Sequence, residues 1–138
     1  MGRVPIVAGN WKMNKNPEEG FSFVDEVQNL LLEIKHVSII FAPPFTGLFE
    51  MNVHPPFYSA AQNCHWESNG AFTGEVSVSM IKESGAKYVI IGHSERRHIF
   101  GELDDWINKK LKAILNEGLS PILCVGETID QRDKGQTE

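Results

Sequence analysis

The sequence predicts an α/β fold on a parallel sheet, and three observations carry that reading. Five short β-rich runs alternate with segments of helical periodicity. Four of the runs stop at a glycine or a proline pair: Gly9, Pro43-Pro44, Gly92 and Gly126. Polar residues collect directly after the strand ends, where parallel α/β folds place their active sites. At 138 residues, 41% of them hydrophobic, the chain is read as one domain over residues 1–138. An open five-stranded sheet and most of a larger barrel both fit this pattern.

The first strand is read at Val4-Pro5-Ile6-Val7-Ala8. A helix follows, with Asn16 as N-cap, Pro17 at the first helical position and Glu18 and Glu19 in the first turn. Phe21, Phe23, Val24, Val27, Leu30, Leu31 and Ile34 recur on its apolar face. The second strand is Val37–Ala42. Thr46–Asn52 accommodates at most a short helix before His54-Pro55-Pro56 breaks it. Phe57–Ala61 is a third short strand, and Gln62–Gly74 a long loop turning at Ser68-Asn69-Gly70. Ser77–Ser84 is a short helix closed by Gly85. Lys87–Ile91 is the fourth strand, with a helical turn starting at Ser94. Leu103–Asn116 is an amphipathic helix using Leu103, Trp106, Ile107, Leu111, Ile114 and Leu115. Pro121–Val125 is the fifth strand, and a last helix starts at Thr128 and runs to Gln136-Thr137-Glu138.

A net charge of −5 argues against a nucleic-acid or membrane-surface partner, since either favours a basic patch. No apolar run approaches the ~18 residues of a membrane span, and the N-terminus reads as neither a signal peptide nor a lipidation site. Cys64 and Cys124, far apart and outside any CxxC, read as buried free thiols of a reducing compartment. A cytoplasmic location is expected.

The residues after the first strand are Asn10, Trp11, Lys12, Met13 and Asn14; after the fourth come His93, Ser94, Glu95, Arg96, Arg97 and His98. On position alone, Lys12 is more simply a solvated lysine and His93 a structural histidine. His93 and His98, five apart, do not share a helix face, so no metal pair is expected. Glu95, Arg96, Arg97 and Glu102 read as an ion-pair network. Dinucleotide, P-loop, zincin and nucleophile-elbow motifs are absent. Gly70-Ala71-Phe72-Thr73-Gly74 lacks the Lys-Ser/Thr that would make it a phosphate loop.

Five colinear blocks resemble the triosephosphate isomerase family: Ala8–Asn14, Ala61–Asn63, Gly70–Glu75, Tyr88–Arg97 and Pro121–Thr128. The resemblance runs from residue 4 to residue 138. It implies an incomplete (β/α)₈ TIM barrel, strands one to five with their helices. It implies an intramolecular aldose–ketose isomerase acting on a small phosphorylated triose, with neither cofactor nor metal. The implied catalytic set is His93, Lys12 and Glu95, the last as the partner that holds Lys12; Asn10 and Lys12 bind substrate. His93 would act as a neutral imidazole, the family's established role for it. Cys124 corresponds to a packing cysteine, not a nucleophile. The family's catalytic glutamate, mobile lid and later phosphate-binding loops follow strand five, so the chain alone is expected to be inactive. Thr73, Phe72 and Gly74 correspond to a dimer contact, implying a homodimer in a complete form and a second-half polypeptide as a possible partner. The residues between Thr46 and Ala61 depart from the family, leaving the second helix and the third strand's register open. A non-catalytic α/β domain acting by association with a partner chain is the alternative.

Overall fold

In the computed structural model, which describes residues 2–136, five strands pair in parallel in chain order. They are β1 (Ile6–Asn10), β2 (Ser38–Ala42), β3 (Phe57–Ala61), β4 (Tyr88–Ile91) and β5 (Ser120–Leu123). This order decides between the two architectures. A doubly wound sheet reverses direction partway, which puts helices on both faces. Steps in one constant direction, joined by right-handed crossovers, put every helix on one face and leave the other as a barrel lumen. The fold is an incomplete TIM barrel.

The period-two alternation of strand side chains sorts the core accordingly. Ile40, Ala42, Tyr58, Ala60, Tyr88, Ile90, Ile122 and Cys124 cluster on the lumen side. The intervening residues face the helices. Ile39, Phe41 and Phe57 pack with Val24 and Met51, and Ala61, Val89 and Ile91 with Ile81, Ile107 and Ile114. The register of β3 runs from Ile39↔Phe57 to Phe41↔Ser59, on the residues the sequence pattern marks.

The helices are α1 (Pro17–Leu30), α2 (Phe45–Leu48), α3 (Val78–Glu83), α4 (Ser94–His98), α5 (Asp104–Asn116) and α6 (Ile129–Asp133). Asn16 caps α1 in a full capping box with Glu19. Gly20 lies where a Cβ would come within 2.9 Å of the Trp11 ring. That close approach seats Trp11 edge-on to Phe23 and Phe41, anchoring the loop after β1 on α1.

Several boundaries differ from the sequence reading. β1 starts and ends two residues late, because its ladder begins at Ile6↔Ser38 and Pro5 has no N–H to offer. α1 stops at Leu30, where the chain tightens so that Ile34 N–H donates to Leu31; Leu31 and Ile34 still pack on the core. β5 ends at Leu123 rather than Val125. α5 buries Ile107, Lys110 and Ile114, leaving Trp106 and Leu115 largely exposed. α6 ends at Asp133, followed by Gly135 at φ 62°. Thr137 and Glu138, expected in that helix, lie outside the described residues, as does Met1 of the N-terminal reading.

Among the described residues, β1 pairs only with β2 and β5 only with β4. Val4, just before β1, and Ile6 and Val7 within it are 56–62% exposed, and Val125 beyond β5 is 82% exposed. Unpaired edges with apolar flanks promote association. The 138-residue polypeptide on its own is expected to bind a hydrophobic dye and to self-associate on heating. A sharp, reversible monomeric transition without dye binding would contradict this. Among the described residues, no helix is long and apolar enough to cross a membrane.

Candidate active site

The C-terminal ends of β1, β3 and β4 converge on a cavity of about 380 Å³. Asn10, Lys12, His93 and Glu95 line it together, with Gln62, Asn63, Gly74, Glu75 and Arg96. Lys12 adopts φ 55°, a left-handed conformation that costs a side-chain-bearing residue about 1–2 kcal/mol. Three contacts hold it there. Its N–H donates to Asn10 Oδ1 at 3.0 Å, its carbonyl accepts from Gln62 Nε2 at 2.8 Å, and its Nζ lies 2.7 Å from Glu95 Oε1. Strain maintained by surrounding contacts is common at functional sites. The exposed Lys15 is also left-handed, at φ 69°, so it is this set of contacts that separates Lys12 from an ordinary surface lysine.

Glu95 is held below the usual carboxylate range, chiefly by its hydrogen bond from Lys12. It therefore protonates, and the pair weakens, at a lower pH than for an ordinary glutamate. His93 is the N-cap of α4, and its Nδ1 accepts from the Glu95 N–H at 3.3 Å. Glu95 Oε2 also lies 3.3 Å from Nδ1 and would favour a proton there. The amide is fixed by the helix and donates to the Nδ1 lone pair, while Glu95 Oε1 is taken by Lys12. A neutral ring that accepts at Nδ1 carries its proton on Nε2.

Gln62 is the residue that sequence reasoning missed. Its side-chain amide also donates to the Ala42 carbonyl at 2.8 Å, tying the ends of β2 and β3 to the loop carrying Lys12. It belongs to one of the family-like blocks, Ala61–Asn63, but nothing local marks an amide as a brace. The expected network of Glu95, Arg96, Arg97 and Glu102 divides instead. Glu95 turns to Lys12, and Arg96 Nε meets Glu102 at 2.7 Å. Arg97 meets Asp104 at 2.6 Å and the Gly92 carbonyl at 2.6 Å. Successive residues of a single helical turn face different neighbours, so the four cannot share one cluster.

The other sequence-singled residues fall outside the cavity's centre. Gly74 reaches its rim, Thr73 is exposed, and Phe72 folds back against His65 with ring centroids 4.3 Å apart. Cys124 lies on the far side of His93, across a smaller cleft that also includes Glu127. Burial pushes the Cys124 thiol up, against the opposing charge of Arg97, and the Cys64 thiol up to about 12. Neither is a thiolate at neutral pH.

A family model described as triosephosphate isomerase matches residues 5–138. The chain belongs to the triosephosphate isomerase family. It is 49% identical to the triosephosphate isomerase of Alkaliphilus metalliredigens and 47% identical to that of Pediococcus pentosaceus, each match covering 98% of this chain and 55% of the relative. It is 48% identical to that of Carboxydothermus hydrogenoformans, over 99% of this chain and 55% of the relative. The chain thus spans about half the length of the curated relatives it matches.

Proposed function

We propose that this chain supplies the electrophilic half of a triosephosphate isomerase site, interconverting dihydroxyacetone phosphate and glyceraldehyde 3-phosphate. The observation that carries the reading is the convergence of strained Lys12 and the helix-capping His93 on one cavity, the first held by the Glu95 carboxylate and the second by its amide N–H. A carboxylate removes a proton beside the substrate carbonyl, and negative charge develops on the carbonyl oxygen. Fixed donors aimed at that oxygen then contribute the largest share of catalysis.

His93 Nε2–H is one such donor, and it can return the proton between the two oxygens of the enediolate. The Lys12 ammonium is another; it also offsets substrate phosphate charge. Asn10 fixes the turn that presents Lys12 and lines the same wall. Glu95 is a positioning residue that touches both donors. On the family resemblance, the proton-abstracting glutamate follows a sixth strand, outside these 138 residues. The complete site is therefore assigned to a form that includes that region, in which the protein is expected to act in glycolysis and gluconeogenesis in the cytoplasm.

The test is His93→Ala in a form spanning the full length of the relatives. Loss of one oxyanion donor costs about 10²–10³-fold in kcat. A loss of this size with KM little changed supports the reading, and an unchanged kcat overturns it.

A further inference from the structure

Two charged side chains lie in the interior beneath the cavity. The side chains of Glu102 and Lys110 are 1% and 3% exposed, and they form an ion pair. Lys110 occupies the buried stripe of α5 between Ile107 and Ile114, where an apolar residue would complete the face. Replacing a buried ion pair by apolar residues of similar volume is often neutral or stabilising. Stability alone therefore does not account for the pair. What it adds is direction.

One branch leaves through Glu102, whose second oxygen accepts from Arg96 Nε at 2.7 Å. Arg96 is the neighbour of Glu95, which holds Lys12 Nζ. The other leaves through Lys110 Nζ, which donates to Asn63 Oδ1 at 2.8 Å. Asn63 is the neighbour of Gln62, which holds the Lys12 carbonyl. Both branches start at one buried ion pair and end on the backbone and the side chain of the same left-handed residue.

We propose that Glu102 and Lys110 form a positioning pair that locks the loops after β3 and β4 to one another, so that both close on Lys12. The proposal deepens the reading of Lys12 as a site residue and rests on that reading for its functional meaning. Its test does not use turnover. The reporter is the Glu95 carboxyl, whose titration depends on the Lys12 ammonium beside it.

In the protein carrying this chain at its native length, Glu102→Leu combined with Lys110→Met removes both buried charges. Each single substitution strands one of them and is expected to lower the denaturation midpoint. The double variant is expected to recover the midpoint while the Glu95 carboxyl, followed by carbon NMR, titrates higher, toward the ordinary glutamate range. A folded double variant whose Glu95 titrates as in the unsubstituted protein overturns the proposal, because a merely structural pair would affect stability alone.

Asn63→Ala leaves the buried pair intact and carries the same test if the double variant does not fold. An upward move of Glu95 supports the proposal, and an unmoved Glu95 overturns it. Absence of isomerase activity in the unsubstituted protein would overturn the functional reading and leave this result standing.

Discussion

The 138-residue polypeptide, assayed alone with dihydroxyacetone phosphate, is expected to turn over at close to the uncatalysed rate. The five strands present the two proposed enediolate donors, Lys12 and His93, on one wall of the cavity. They do not present the carboxylate that the family resemblance assigns to the proton abstraction. A positioned base contributes about 10²–10⁴-fold by itself. The family resemblance also assigns a mobile lid to the remaining length, and a lid that excludes water strengthens every electrostatic contact in the site. Adding a polypeptide that corresponds to the remaining length of the relatives should raise the rate, provided the two pieces join at the open edges of β1 and β5. Turnover by the isolated chain near that of a complete family member would show that a base has been overlooked among these residues. Failure of the added polypeptide to raise the rate would show that the exposed edges are not where the pieces meet.

How far the sequence reaches depends on whether a signal is local. The capping box at Asn16 and Glu19 is written in four consecutive residues, and the structure starts α1 there. The Ser77 and Thr128 caps behave in the same way. Strand boundaries depend on the neighbouring strand, so β1 begins where Ser38 offers a partner and not where β-propensity begins. The choice between open sheet and barrel depends on strand order, which no single segment encodes. The family blocks imply the barrel, and the strand pairing decides it.

Within the site, the types and spacing of Asn10, Lys12, His93 and Glu95 were legible from the family blocks. The conformation of Lys12 was not. A left-handed lysine is visible only once Asn10, Gln62 and Glu95 are seen to surround it. Lys110 was hidden for a related reason. Helical periodicity marks apolar residues, so a charged residue on the buried stripe was passed over in favour of Trp106 and Leu115. Its partners stand 8 and 47 residues away.

Thr73→Arg, made in a form spanning the full length of the relatives, is expected to shift a two-fold dimer toward monomer and to lower its activity in step. The loop between β3 and α3 is long for an α/β connection, where 2–6 residues are usual, and long ordered loops are generally functional. Its base is closed by a bridge between His65 and Ser77, and its tip is propped by Phe72 packing at a tilt against His65. Thr73 is therefore displayed at the surface by a braced loop. The family resemblance places this tip against the Asn10 and Glu95 region of a second copy. Glu95 is already engaged by Lys12 at 2.7 Å. An arginine arriving there would stay unpaired or draw Glu95 away from Lys12. An unpaired buried charge costs about 3–5 kcal/mol, enough to weaken association more than a hundredfold. Recruiting Glu95 would instead release the ammonium from its position and reduce activity directly. Either way, association and rate fall together. Sedimentation showing a tight dimer with an unchanged rate would mean that the loop tip is not an intersubunit contact.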